Sequence, residues 1–399
     1  MFSQRVPALH SVNPLSRLIE EKRRRGEPVL DLTESNPTRC GFLYDTDAIL
    51  RAIASPASLL YDPHPQGLQG AREAIAASYQ TLGEVVTPDS LFLTSGTSEA
   101  YGHLFKLLAD PGDDILVPVP GYPLLEVLTR LDGLRLVQYP LRYQAGRGWH
   151  IDLERLGDSI STRARAIVVV SPNNPTGSFL KRDELKGIAA ICRRHGCALI
   201  VDEVFSGYAK GPDATRVATA VGHDAALTFV LDGFSKMLGL PQAKLSWIHV
   251  SGPDGLRAEA SERLGFVTDA YLSVGAPVMN AVPGLLAGRE ALQAQIQSRL
   301  AENEGELVRA LAPAGGVEVL GREGGWYAVV RLPESLGDES LALALLDRDG
   351  VLVHPGYFYD FPAGSHLVLS LLPRAELFRE GARRLVDRVV KMRTGNDQP

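Results

Sequence analysis

The chain has 399 residues, 45% apolar and 22% charged, which exceeds a single ordinary domain and supplies a substantial core. Its formal charge of -6 speaks against nucleic acid or an anionic membrane as the main partner. Cys40, Cys192 and Cys197 have neither CxxC nor metal-ligand spacing, the opening MFSQRVPALHSVNP lacks an apolar leader core, and no stretch reaches membrane-span length, so reduced thiols and a cytoplasmic location are expected.

In chain order, residues 14–26 predict a short helix opened by proline and closed by Gly26, with a basic outer face. Residues 29–32 predict a short strand and 33–42 (TESNPTRCGF) a loop. The proline- and glycine-rich run YDPHPQGLQG, 61–70, leads into an amphipathic helix over 71–82 with Ile75 and Tyr79 on one face. From Leu91 strand and helix alternate. Strands are expected at 91–93, 115–119, 136–139, 167–170, 198–201, 228–231 and 245–250, and helices at 98–108, 124–131 and 182–195. This alternation predicts an α/β fold, a mostly parallel sheet of seven-stranded type between helices. Past about Ala281 it stops. A long helical segment over 284–311, strand-like runs at 317–320, 326–330 and 367–371, and a closing helix over 374–392 predict a smaller α+β domain. The expected division is a large domain over 46–284 and a small one made of 1–45 with 285–399.

Ligands in such sheets sit at the carboxyl ends of strands, in loops leading into helices. That marks the loops 94–100, 118–125, 171–179 and 202–208, and the segment FVLDGFSKMLGLPQAKLSWIHV over 229–250. In that segment Lys236 lies between two apolar strands. A buried ammonium must be paired or neutralised, and a deprotonated lysine can form a Schiff base with an aldehyde cofactor; a lysine reaching out to solvent is the plainer alternative. In TSGTSEA (94–100), backbone N–H groups and the helix dipole could hold a phosphate, or Thr97 or Ser98 could simply cap the helix. No GxGxxG, GKS or GKT occurs, so no dinucleotide or nucleoside triphosphate is indicated. The strand ALIVDE (198–203) ends in two acids: Asp202 is placed to pair with a ligand cation or to cap a helix, and Glu203 reads as a capping or solvated acid. Asn174, in PNNPTG, would ordinarily be a turn residue, and Tyr122 either stacks on a planar ring or belongs to the core.

These pieces in this order resemble the fold-type-I, class I/II aminotransferases, which bind pyridoxal 5'-phosphate. The resemblance covers nearly the whole chain: Ser35-Asn36-Pro37, Tyr61 with Gly67, SGTSEA, GYP at 121–123, PNNPTG at 172–177, DEVFSGY at 202–208, SKMLGLPQAK at 235–244 and His354-Pro355-Gly356. It implies an enzyme that moves an amino group between an amino acid or amine and a 2-oxo acid in two half-reactions. Lys236 would hold the cofactor and then carry the proton, and Asp202 would keep the pyridine nitrogen protonated. Asn174 would bond the phenolic oxygen, Tyr122 would stack on the ring, and Gly96, Thr97, Ser98 and Ser235 would form the phosphate cup. Tyr61 would reach the phosphate of a neighbouring subunit, which implies a homodimer with shared active sites.

Three positions depart from the family pattern. Phe205 stands where a tyrosine is usual, so the hydroxyl that would share the phenolic oxygen with Asn174 is missing. Lys244 stands where an arginine usually meets the phosphate, keeping the charge but losing the bidentate fork. Val368 stands where an arginine usually binds the substrate carboxylate; Arg39 is the substitute considered. Another reaction on the same scaffold, β-elimination or decarboxylation, is the alternative enzyme reading. A ligand-sensing module is the non-enzyme one, and the chain has neither room for a DNA-binding domain nor a basic patch.

Overall fold

The computed structural model describes residues 2–7 and 13–394. The reading of the first fourteen residues as free of a leader therefore falls partly outside the described residues. The strands are β1 (Leu30–Asp31), β2 (Leu91–Thr94), β3 (Asp114–Val119), β4 (Arg135–Gln144), β5 (Gly148–Ile151), β6 (Ala164–Val170), β7 (Ala198–Asp202), β8 (Thr228–Gly233), β9 (Ser246–Ser251), β10 (Glu318–Val319), β11 (Tyr327–Leu332), β12 (Val351–Leu352), β13 (His354–Pro355) and β14 (Ser365–Ser370). The main sheet has eight strands in the order β2-β9-β8-β7-β6-β3-β4-β5. Its centre, β8-β7-β6-β3-β4, is parallel, while β9 and β5 run antiparallel to their neighbours.

The parallel strands are near-continuous apolar runs because both faces are covered. Alternate residues of one strand enter different cores: Ile115 and Val117 of β3 pack with Tyr101, Leu104 and Phe105, whereas Leu116 packs with the cluster containing Leu185 and Ile188. Helices Thr97–Leu108 and Arg182–His195 thus cover opposite faces.

Most expected elements form within a residue or two, and the differences are physical. The sheet gains β5, because β4 runs on past residue 139 and turns back through Gly146 and Gly148, both at positive φ. The helix expected over 284–311 is two, Ala276–Leu286 and Arg289–Leu311, parted at Ala287-Gly288. Helices Thr46–Ile53, Leu153–Asp158, Asp254–Asp269 and Asp338–Asp349 go beyond those the sequence pattern predicts. The second sheet, β10-β11-β14-β13, is antiparallel, and β1 pairs with β12.

This topology assembles one edge of the main sheet. Strands β2, β3, β6, β7 and β8 deliver residues from their carboxyl ends. Because β9 is antiparallel, its start lies at that same edge: Ser246 is in register with both Thr94 and Gly233.

Candidate active site

Lys236 leaves β8 through the short helix Phe234–Met237, and the Tyr208 hydroxyl donates to its backbone carbonyl at 2.7 Å. The preceding Gly233 is required by crowding, since a Cβ there would lie 2.1 Å from Ser246 Oγ. The Lys236 amine Nζ sits 5.1 Å from the Trp326 ring centroid and 5.6 Å from that of Phe205. Burial lowers its proton affinity, and Asp202 pulls it partly back. The lysine therefore does not reach out to solvent, and its amine faces aromatic rings and one acid.

Asp202, at the end of β7, is buried and accepts two hydrogen bonds, from Tyr101 Oη to Oδ2 at 3.0 Å and from Val204 N to Oδ1 at 3.2 Å. Burial pushes its pKa up to about 6, against the pull of those donors and of Lys236. It caps no helix. Glu203 differs from the sequence expectation: it is neither a cap nor solvated but buried, accepting from Thr219 Oγ1 and Ala220 N, both at 2.6 Å. Burial raises it to about 7. Asp232 behind them is held well above the carboxylate range by burial.

At the other end of the edge, Gly96 precedes the helix Thr97–Leu108 without any side-chain cap. The capping alternative for Thr97 or Ser98 is thereby corrected: Gly96 is the N-cap, and Glu99 instead accepts from Ser95 N at 2.7 Å and from Ser273 Oγ at 2.6 Å. Among the described residues, the hydroxyls of Thr97, Ser98 and Ser235 make no hydrogen bond to protein. A Cβ on Gly96 would lie 3.4 Å from Lys244 Nζ, so the ammonium overhangs the helix start. Lys244 itself is exposed, at a left-handed φ of 53°.

Between these ends, Asn174 Oδ1 is buried and has no hydrogen-bond partner. The Tyr327 hydroxyl faces Asn174 and Ser35; burial pushes it up to about 12, and those two side chains pull it partway back. Tyr122 is 54% exposed, so it is not a core residue. Phe205 is buried, edge-on to Trp326 at 5.3 Å and to Tyr327 at 6.3 Å. Val368 is buried in β14, in register with Val329 and His354, and offers no charge. Arg39 is exposed and lies 4.0 Å from Glu34. Tyr61 stands away from the chain's own core, 81% exposed.

An amine beside an acid, a lone buried amide oxygen, and hydroxyls under an ammonium at a helix start fit a flat, phosphate-bearing aldehyde cofactor. Sequence reasoning missed Tyr101, Tyr208, Trp326 and Tyr327. Tyr208 closes the DEVFSGY motif without a role assigned to it there, the other three belong to no residue pattern that signals chemistry, and the positions of all four depend on which elements pack against the edge. Among the described residues no group of His, Cys, Asp and Glu is placed to hold a metal, and no helix is long and apolar enough to cross a membrane.

Residues 29–382 match the family described as aminotransferase class I and II. The chain is 29% identical over 358 residues to the alanine aminotransferase of Mycobacterium tuberculosis, covering 87% of this chain and 82% of that one. It is 26% identical over 370 residues to the glutamate-pyruvate aminotransferase of Escherichia coli, covering 91% of each. It is 28% identical over 376 residues to the arginine-pyruvate transaminase of Pseudomonas aeruginosa, covering 90% of each. In fold it matches the alanine aminotransferase structure from Pyrococcus furiosus with a TM-score of 0.87, at 24% identity over 98% of this chain and 100% of that one.

Proposed function

The chain belongs to the class I and II aminotransferases, enzymes that move an amino group between an amino acid and a 2-oxo acid with pyridoxal 5'-phosphate, and on that premise we propose how its own residues divide the work. When bound, the cofactor supplies an aldehyde that joins an amine covalently and a protonated ring that accepts an electron pair from the substrate carbon. Lys236 Nζ is the amine that would hold it and, once released, the base that would carry the proton from the substrate α carbon to the cofactor's aldehyde carbon. Its lowered proton affinity supports this role, because a lysine must be uncharged to act as nucleophile or base. Asp202 holds the proton on the ring nitrogen. Gly96, Thr97, Ser98, Ser235 and Lys244 bind the phosphate, Asn174 the phenolic oxygen, and Tyr122 lies against the ring.

The observation that carries the reading is the placement of Lys236 Nζ between Phe205, Trp326 and the charge of Asp202. We propose pyruvate as an amino acceptor, on the names of the relatives, which include alanine, glutamate-pyruvate and arginine-pyruvate enzymes. The test is a stopped-flow panel of amino donors, followed by pyruvate, 2-oxoglutarate and oxaloacetate. Return of the cofactor absorbance with pyruvate at a rate below those of the other acids would sink the pyruvate assignment. Loss of the near-visible absorbance band in Lys236→Ala is expected, and its survival would sink the lysine assignment.

A homodimer with shared sites is also proposed. Leu59, Leu60 and Tyr61 form a consecutive run at 91%, 68% and 81% exposure, beside the helix Thr46–Ile53, whose Leu50 is likewise exposed. Such a run is suited to burial against a second copy. The proposed domain division remains 46–284 against 1–45 with 285–399, supported by the pairing of β1 with β12. A cytoplasmic location is proposed on the free state of Cys40, Cys192 and Cys197, all buried.

A further inference from the structure

Asp202 is held by a residue from a different element, one that takes no part in holding the cofactor or moving the proton. Tyr101 lies one turn into the helix Thr97–Leu108, 2% exposed, its ring tilted against Phe105 at 5.9 Å. Its hydroxyl donates to Asp202 Oδ2 at 3.0 Å across 101 positions of sequence. The neighbouring buried phenol, Tyr139, does not share that task, since it donates to the Val168 carbonyl at 2.7 Å. A helix that starts at Gly96, in the proposed phosphate cup, thus also carries the one side chain that hydrogen-bonds the acid among the described residues.

A buried carboxylate with too few donors takes up a proton. If Asp202 did so, it would take the proton it is meant to leave on the ring nitrogen. A phenol cannot be charged here: burial and the Asp202 charge drive the Tyr101 hydroxyl far above its ordinary range, so it stays a donor. This phenol, the Val204 N–H and the charge of Lys236 favour the Asp202 carboxylate, while the buried acids Glu203 and Asp232 lie within its electrostatic reach. Of these only Tyr101 is a neutral side-chain donor, and it is fixed by burial in the core against Phe105.

We propose that Tyr101 is a positioning residue for Asp202, fixing the carboxylate rotamer and keeping its negative charge so that the shared proton stays on the cofactor's ring nitrogen. This rests on the reading of Asp202 as the partner of that nitrogen. It also ties the two ends of the site together, because movement of one helix shifts the phosphate cup and the acid as a unit.

The test compares wild type with Tyr101→Phe, which keeps the ring and removes only the hydroxyl. Both are reconstituted with cofactor labelled with 15N at the ring nitrogen. In wild type the nitrogen resonance should lie at the protonated position. In Tyr101→Phe it should move toward the free-base position, and the amino-acid half-reaction should slow about tenfold, as for loss of a hydrogen bond to a charged group. An unmoved resonance overturns the proposal. In an Asp202→Ala background, adding Tyr101→Phe should change cofactor affinity less than about twofold. A persistent loss there assigns Tyr101 to packing alone and also overturns it. A wild-type resonance at the free-base position, unmoved by Asp202→Ala, overturns instead the reading of Asp202 on which the proposal stands.

Discussion

The environment of Lys236 explains why a single residue can be both anchor and proton carrier. Its amine is flanked by two aromatic rings and feels the charge of one acid, so the charged form is penalised more by lost water than it is rewarded by Asp202. Removing the acid should therefore leave Lys236 more readily deprotonated while stripping the ring nitrogen of its partner. Asp202→Ala is expected to slow transamination by about 10²–10³-fold, the scale of one preorganised electrostatic contact, measured as a single-turnover rate with saturating cofactor. Lys244 is a different case. Its ammonium overhangs Gly96 without a fixed partner among the described residues and is exposed to water, so Lys244→Ala should weaken cofactor binding about tenfold or somewhat more, while Lys244→Arg should hold the phosphate at least as tightly through its planar fork. Equilibrium dialysis of the apoenzyme distinguishes the two.

At the scale of elements, the carboxyl ends of β7 and β8 carry three acids within a few residues, of which only Asp202 faces Lys236. Glu203 and Asp232 are enclosed and favour the protonated form. An acid whose proton is held more tightly in the fold than in the unfolded chain binds a proton on folding. It is harmless below its ordinary value of 4.5, and it destabilises the fold progressively as pH rises from there to about 7. Glu203→Gln should thus raise the melting temperature by a few degrees relative to wild type at pH 8 and not at pH 4. Differential scanning fluorimetry across that range reads it, and an equal shift at both pH values would contradict the assignment. Gly233 shows the opposite constraint, space rather than charge. A methyl group there would overlap Ser246 Oγ, so Gly233→Ala should push β8 from β9 and displace Ser235 and Lys236 together. Loss of the near-visible absorbance with retained secondary structure is the expected result.

For the whole molecule, the exposed run Leu59-Leu60-Tyr61 makes assembly the open variable. With sites shared across a two-fold axis, Lys236→Ala and Tyr61→Ala chains damage different halves of each site. A mixed dimer then holds one site damaged twice and one intact. Mixing equal amounts of the two variants after dissociation should restore roughly a quarter of wild-type activity, since half of the dimers are mixed. No recovery on mixing, or a monomer by sedimentation, would remove the shared-site arrangement.

What the sequence determined by itself is set by local rules. Apolar runs of strand length alternating with helical periods specified the parallel sheet, and strand-to-helix loops marked where Lys236, Asp202, Asn174 and Gly96 would meet, because side-chain period and turn chemistry are written in neighbouring residues. Short helices such as Thr46–Ile53 and the β5 hairpin strand were not legible, since their formation depends on what they pack against. Glu203 shows the limit most clearly: the sequence singled out Asp202 for the ligand cation, but no neighbouring residue tells that Glu203 beside it is enclosed with Thr219 rather than capping or solvated. The tertiary structure alone decided that, together with the contact of Tyr101 with Asp202 and of Trp326 with Lys236. Each is a meeting of residues far apart in the chain, and the free energy of such meetings comes from burial, which no local pattern encodes.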